Sequence, residues 1–148
     1  MNKTGVVVVA LLAVSSGFAT DYTWNGGSGS FQTDSKWTPT GVPGLADNAK
    51  FTTAGTYGVS FNGNATNASS TVGADVTFDL GGYSWLLSGA LNFSGTSTAR
   101  FGGGALTVGS PVTVGSNQKL VLDSGTSIFT NMVTGSGGAI EVNGGDHA

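Results

Sequence analysis

The sequence contains no cysteine, which excludes a disulfide framework and a thiolate metal site together. Histidine is confined to His147, the penultimate residue. Without cysteine, and without a histidine in the body of the chain, the usual pairings of nucleophile and general base have no members, so the chain reads as a non-enzyme with no cofactor. Charge is the third deficit. Only 9% of residues are charged, and the 5 basic ones, Lys3, Lys36, Lys50, Arg100 and Lys119, are scattered. Phosphate backbones require clustered Lys or Arg, so nucleic acid is not an expected partner. Proline, with 3 residues, is rare. The longest apolar run, VVVVALLAV at 6–14, stops well short of the roughly 18 residues that a membrane span needs, and no membrane insertion of the mature chain is expected.

Glycine is what the chain has in excess, 26 of 148 residues. That is too much for a helical protein, and the low charge does not suit solvated disorder. The length fits one domain with an economical core. Lys3, the apolar run that follows it and the small residues Gly17 and Ala19 together have the layout of a secretory signal peptide. Removal of residues 1–19 is expected, leaving a secreted or cell-surface protein.

Self-alignment shows a repeat. Leu80-Gly81-Gly82 returns as Phe101-Gly102-Gly103 and, more loosely, at Leu122 and Val142. Two further apolar lanes, Leu87, Val108, Phe129 and Leu91, Val112, Val133, share a spacing of 21 residues. Each repeat divides into three strand-like pieces with alternating apolar residues, separated by Gly and Ser that permit sharp bends. The expected fold is therefore all-β, a parallel β-solenoid with about 21 residues per coil. Its inward ladders are Phe78, Ala99, Leu120, Ile140; then Leu80, Phe101, Leu122, Val142; then Trp85, Leu106, Ser127. Tyr57 and Val59, 21 before Phe78 and Leu80, suggest a distorted first coil. An antiparallel sandwich also fits many short strands, but gives no reason for a fixed repeat. Asp79, Arg100, Val121 and Glu141 fall on an outward lane, where Asp79 and Arg100 are expected to pair. The boundaries read as signal peptide 1–19, N-terminal cap segment 20–54 and solenoid coils 55–148, the last coil incomplete.

The segment TWNGGSGSFQTDSKWTPTGVPGLADNAKF at 23–51 lacks the repeat and holds Trp24, Trp37 and the Val42-Pro43-Gly44 turn. With its Trp-Asn-Gly-Gly opening, later Lys-Trp and Asp47-Asn48-Ala49-Lys50-Phe51 end, it resembles the start of bacterial autotransporter-like and PEP-CTERM-type surface proteins, whose passengers are parallel β-helices. The resemblance covers most of the mature chain. It implies an N-terminal cap followed by a surface-displayed stalk or adhesin-like body. Residues 144–148 carry neither a sorting segment nor a membrane barrel. The chain is accordingly expected to be the front part of a longer passenger, or to self-associate or take a partner through its open C-terminal coil.

Candidate chemistry is sparse. Asp75 and Asp79 share an outward strand face with Thr77, which reads as a solvated face. The fold also resembles β-helix polysaccharide lyases, which combine a calcium-binding acidic cluster with a basic residue, and Arg100 is the one base placed for that role. Gly144-Gly145-Asp146 matches part of a calcium-binding nonapeptide in a single incomplete copy. Asn64, Asn67 and Asn92 sit in N-glycosylation patterns that this composition produces by itself. Trp24 and Trp37 are the candidate carbohydrate contacts, since aromatic faces suit sugar rings; packing in the cap is their favoured role. The function expected is an exported, non-catalytic structural or adhesin-like module. The alternative is a carbohydrate-binding or polysaccharide-cleaving β-helix domain, with a surface glycan as partner.

Overall fold

A computed structural model describes residues 18–148. The expected signal peptide therefore lies outside the described residues, apart from Phe18 and Ala19. The described chain is a parallel β-solenoid with three faces. The first face stacks Gly29–Ser30, Thr56–Ser60, Asp75–Asp79, Ser97–Gly102, Gln118–Leu122 and Ala139–Val142. Ala65–Asn67, Ser84–Leu87, Ala105–Val108, Thr126–Phe129 and Asp146–His147 form the second. Asp21–Trp24, Asn48–Phe51, Ser69–Val72 and Leu91–Phe93 begin the third, and Val112–Gly115 pairs with Val133–Ser136 beyond it. The hydrogen-bonded ladder breaks before Val112, where Pro111 has no N–H to give. Leu91 and Val112 are nonetheless fully buried in one core.

Alternation decides which side chains go in. Along Asp75–Asp79, Val76 and Phe78 are buried while Asp75, Thr77 and Asp79 are exposed, as a period of two requires. Corners need backbone without side chains. Gly125 adopts φ +85°, and a Cβ there or at Gly104 would collide with the backbone of the neighbouring coil, so successive turns stack at van der Waals contact only because glycine occupies them. Each large side chain buried this way contributes roughly 1.5 to 3 kcal/mol.

The 21-residue register holds on the second face from Ser84 to Phe129 and on the third from Asn48 to Phe93, whereas Ala65 and Trp85, and Thr126 and Asp146, are 20 apart and Asp21 and Asn48 are 27 apart. Trp85 lies beside Leu106 and Leu106 beside Ser127, and Ser70 stands beside Ala49 and Leu91. On the first face it shifts. Phe78 is opposite Phe101 and Val76 opposite Ala99, an offset of 23, whereas Val59 is opposite Phe78, an offset of 19. The expected Phe78–Ala99 and Leu80–Phe101 neighbours are thus displaced by two residues. Corner lengths are the reason. The turn from Phe93 to Thr98 is two residues longer than the turn from Val72 to Asp75 beneath it, and the turn from Gly102 to Ala105 is two shorter than that from Asp79 to Ser84. From Ala99 onward the expected ladder to Leu120 and Ile140 holds.

The solenoid also begins earlier than residue 55. Asn48–Phe51 lies on the third face, 21 residues before Ser69–Val72, and buries Ala49 and Phe51. Asp21–Trp24 adds one more parallel strand, on which Trp37–Thr38 folds antiparallel after a 3-10 turn at Asp34–Lys36. That antiparallel strand closes the edge that a parallel stack would leave open. The core is aromatic at this end, where Trp24, Phe31, Trp37, Phe51, Phe61 and Trp85 pack ring to ring. Phe78 and Phe101 stack nearly parallel at 4.8 Å, one coil apart, and beyond them the core is Leu and Val.

Candidate functional surfaces

Trp24 and Trp37, the candidate carbohydrate contacts, are 0% and 1% exposed. They meet edge to face at 5.1 Å, and their indole N–H groups donate to the carbonyls of Gly27 and Phe31 at 2.9 and 2.8 Å. Neither ring offers a face to solvent, because each is spent on closing the N-terminal end. The Lys36 ammonium lies 5.5 Å from the centre of the Trp24 ring, covering it further.

Between Gly55 and Gly145 the charged side chains collect on the first face or its exit corner. Arg100 does not pair with Asp79, as expected from a spacing of 21; with the register shifted, it stands opposite Thr77 and donates to both oxygens of Asp123 at 2.7 and 2.5 Å. Asp79 instead accepts from the Gly81 N–H at 3.1 Å. Lys119 pairs with Glu141, and Lys50 with Asp21 at 2.5 Å on the third face. The Asn143 amide and the Arg100 guanidinium hold the Asp123 carboxyl below its usual range, and Lys119 does the same for Glu141. Val121 lies on this outward lane, between Arg100 and Glu141, yet is fully buried. It sits on the face where these long side chains pair, outside the main core cluster. The stems of such side chains shelter apolar surface while their heads stay wet.

Asp75, Thr77, Thr98 and Arg100 line a shallow groove of about 240 Å³ on this face. Among the described residues, no three His, Asp or Glu side chains are grouped so as to hold a metal ion. His147 lies with Nε2 2.5 Å from the Gly144 carbonyl oxygen. Inside the first face, burial pushes the Tyr57 phenol up to about 12, and its hydroxyl has no hydrogen-bond partner.

Asn67 is the residue that sequence reasoning undervalued. It is 0% exposed, its amide donates to the carbonyls of Pro43 and Gly44 at 2.9 and 3.1 Å, and its side-chain oxygen accepts from the Trp85 indole at 2.8 Å. One side chain thereby joins the Val42-Pro43-Gly44 turn to the coils. It stands beside Leu87 on the inward lane, but 20 residues before it rather than 21, so the repeat spacing pointed to Thr66 in its place; a polar residue in an apolar lane must find partners. With its polar atoms so used, Asn67 is no glycan acceptor in this fold, whereas Asn64 and Asn92 are exposed.

The second face carries no charged residue from Ala65 to Phe129; its central outward lane reads Thr66, Leu86, Thr107, Ile128. At the C-terminal end the stack stays open. A groove of about 190 Å³ there is lined by Leu120, Leu122, Phe129, Val133, Ile140 and Val142. Ile140 and Val142 are exposed. Among the described residues no helix is long and apolar enough to cross a membrane.

Comparison with known proteins finds no matching family model, no matching curated protein and no matching solved structure.

Proposed function

We propose that the chain is an exported, non-catalytic structural or adhesin-like β-helix module, the N-terminal part of a cell-surface passenger. One observation carries the reading: the two ends of the solenoid differ. An aromatic plug and an antiparallel strand close the N-terminal end, while the other leaves apolar side chains and three strand edges to receive another coil. A body that starts with a lid and grows in one direction suits a stalk projecting from a surface. The signal-peptide layout of residues 1–19 and the resemblance carried by residues 23–51 support export.

The test is expression of the full chain, epitope-tagged at its C-terminus, in a bacterial host. Antibody labelling of intact cells or recovery from the medium is expected, with no new reducing ends when the purified chain meets polysaccharides. Retention in the cytosol overturns export, and polysaccharide cleavage that survives further purification overturns the non-catalytic assignment.

A further inference from the structure

Between Gly55 and Gly145 the charges are segregated by face. Asp75, Asp79, Arg100, Lys119, Asp123 and Glu141 all belong to the first face or its exit corner. The second face has none over four consecutive strands. There, Thr66 lies beside Leu86, Leu86 beside Thr107 and Thr107 beside Ile128, so hydroxyl and aliphatic groups alternate along the axis. Coils about 4.8 Å apart give that alternation a period of about 9.6 Å, close to the length of a disaccharide unit in an extended β-linked glycan. Ser84, Ala105 and Thr126 form a flanking lane of small side chains. Leu86 and Ile128 are 41% and 43% exposed, and Tyr83, at the corner entering the face, is 39% exposed.

We propose that this second face is a docking surface for a neutral polysaccharide chain lying along the solenoid axis. The inference rests on the adhesin-like reading and names its target. A neutral glycan presents hydroxyl edges and C–H faces, which match the threonine hydroxyls and the Leu86 and Ile128 side chains, and the Tyr83 ring supplies a stacking surface at the margin. An anionic polymer would find no cation to pair with and would lose hydration of its charges. A second copy of the chain is disfavoured by size. Four strands of about four residues cover roughly 250 Å², against about 800 Å² per partner in a stable protein interface. A polymer that engages many displayed copies at once gains by multivalency what one small face lacks.

The experiment uses the full chain with microcrystalline cellulose, chitin and, for contrast, a polygalacturonate gel, measuring the fraction removed from solution. Retention is expected on at least one neutral polymer and not on polygalacturonate. Leu86→Lys with Ile128→Lys should weaken retention about tenfold or more, while Thr113→Lys, exposed on the third face, leaves it unchanged. Thermal melts check that each variant folds; if the double lysine variant does not, Leu86→Ser with Ile128→Ser makes the same comparison. Absence of retention on both neutral polymers, preference for polygalacturonate, or equal retention by the double variant overturns the proposal. So does light scattering that shows the double variant dissolving a dimer, which would make a second copy the occupant. Surface display that persists without binding removes only this docking face, and binding without display removes only the exported-module reading.

Discussion

The indole N–H of Trp85 donates to the side-chain oxygen of Asn67 at 2.8 Å, and both residues are fully buried. Replacing Asn67 by Ala strands that indole together with the buried carbonyl of Pro43, while the Gly44 carbonyl keeps the Asp47 N–H. An unpaired buried polar group costs about 1 to 3 kcal/mol, so Asn67→Ala should lower stability by about 2 to 4 kcal/mol in urea unfolding. Asn92→Ala, on an exposed position, should stay within about 0.5 kcal/mol. Equal, small effects would show that the cap is not tied through Asn67.

Acid should loosen the first face. The carboxyls of Asp123 and Glu141 are held below their usual range, by Asn143 and Arg100 for the former and by Lys119 for the latter. The unfolded chain therefore takes up protons first as pH falls. The stability these groups contribute is whole above a pH of about 4 to 4.5 and is lost as pH drops through the lower folded values. Melting temperature should fall below that range, and Asp123→Asn should make the fall shallower. Asn92→Ala, exposed and away from the Arg100 pair, should leave the acid profile as it is. A reversed ranking of the two variants would contradict the observed register.

Val121 refines a simple inside–outside expectation. Alternation puts it outside and Leu122 inside, yet both are buried. Leu122→Asp should cost about 4 kcal/mol or more by placing a charge in the apolar core. Val121→Asp should cost an intermediate amount, about 1 to 3 kcal/mol, because Arg100 and Lys119 lie on the same face to meet the new carboxylate. Thr113→Asp, exposed on the third face, should be nearly neutral. Thermal melts that put Val121→Asp level with Thr113→Asp would mean that the paired side chains do not shelter it.

Val121 and the Phe78–Phe101 pair mark where the sequence stopped being legible. The lanes through Leu87, Val108 and Phe129, and the inward place of Trp85 and Leu106, followed from the 21-residue spacing because those strands keep equal lengths. The first face departs from that spacing through corners of Gly, Ser and Thr, which carry no apolar lane to align. A gain of two residues at one corner and a loss of two at the next cancel over a full coil, so the average period conceals them. Burial of Val121 was hidden for another reason: alternation places it outward, and the spacing does not report the charged side chains that pair across coils on the same face. Asn48–Phe51 was masked by the non-repeating tryptophan segment around it, although Ala49 and Phe51 already alternate inward. Trp24 and Trp37 were readable as packing residues because a solenoid edge needs a lid.

The open end should recruit another coil. Light scattering of the purified chain at tens of micromolar is expected to show species larger than a monomer, and Ile140→Lys with Val142→Lys should reduce them to monomers by charging the exposed apolar groove. A wild-type chain that stays monomeric would mean that these edges do not template association.

The most direct test of the account is the intact mass of the chain recovered from the surface or medium of an expressing bacterium. A polypeptide beginning at Thr20, with residues 1–19 removed, is the expected result. A soluble product that keeps Met1 to Ala19 and stays inside the cell would contradict the reading of this solenoid as an exported surface module.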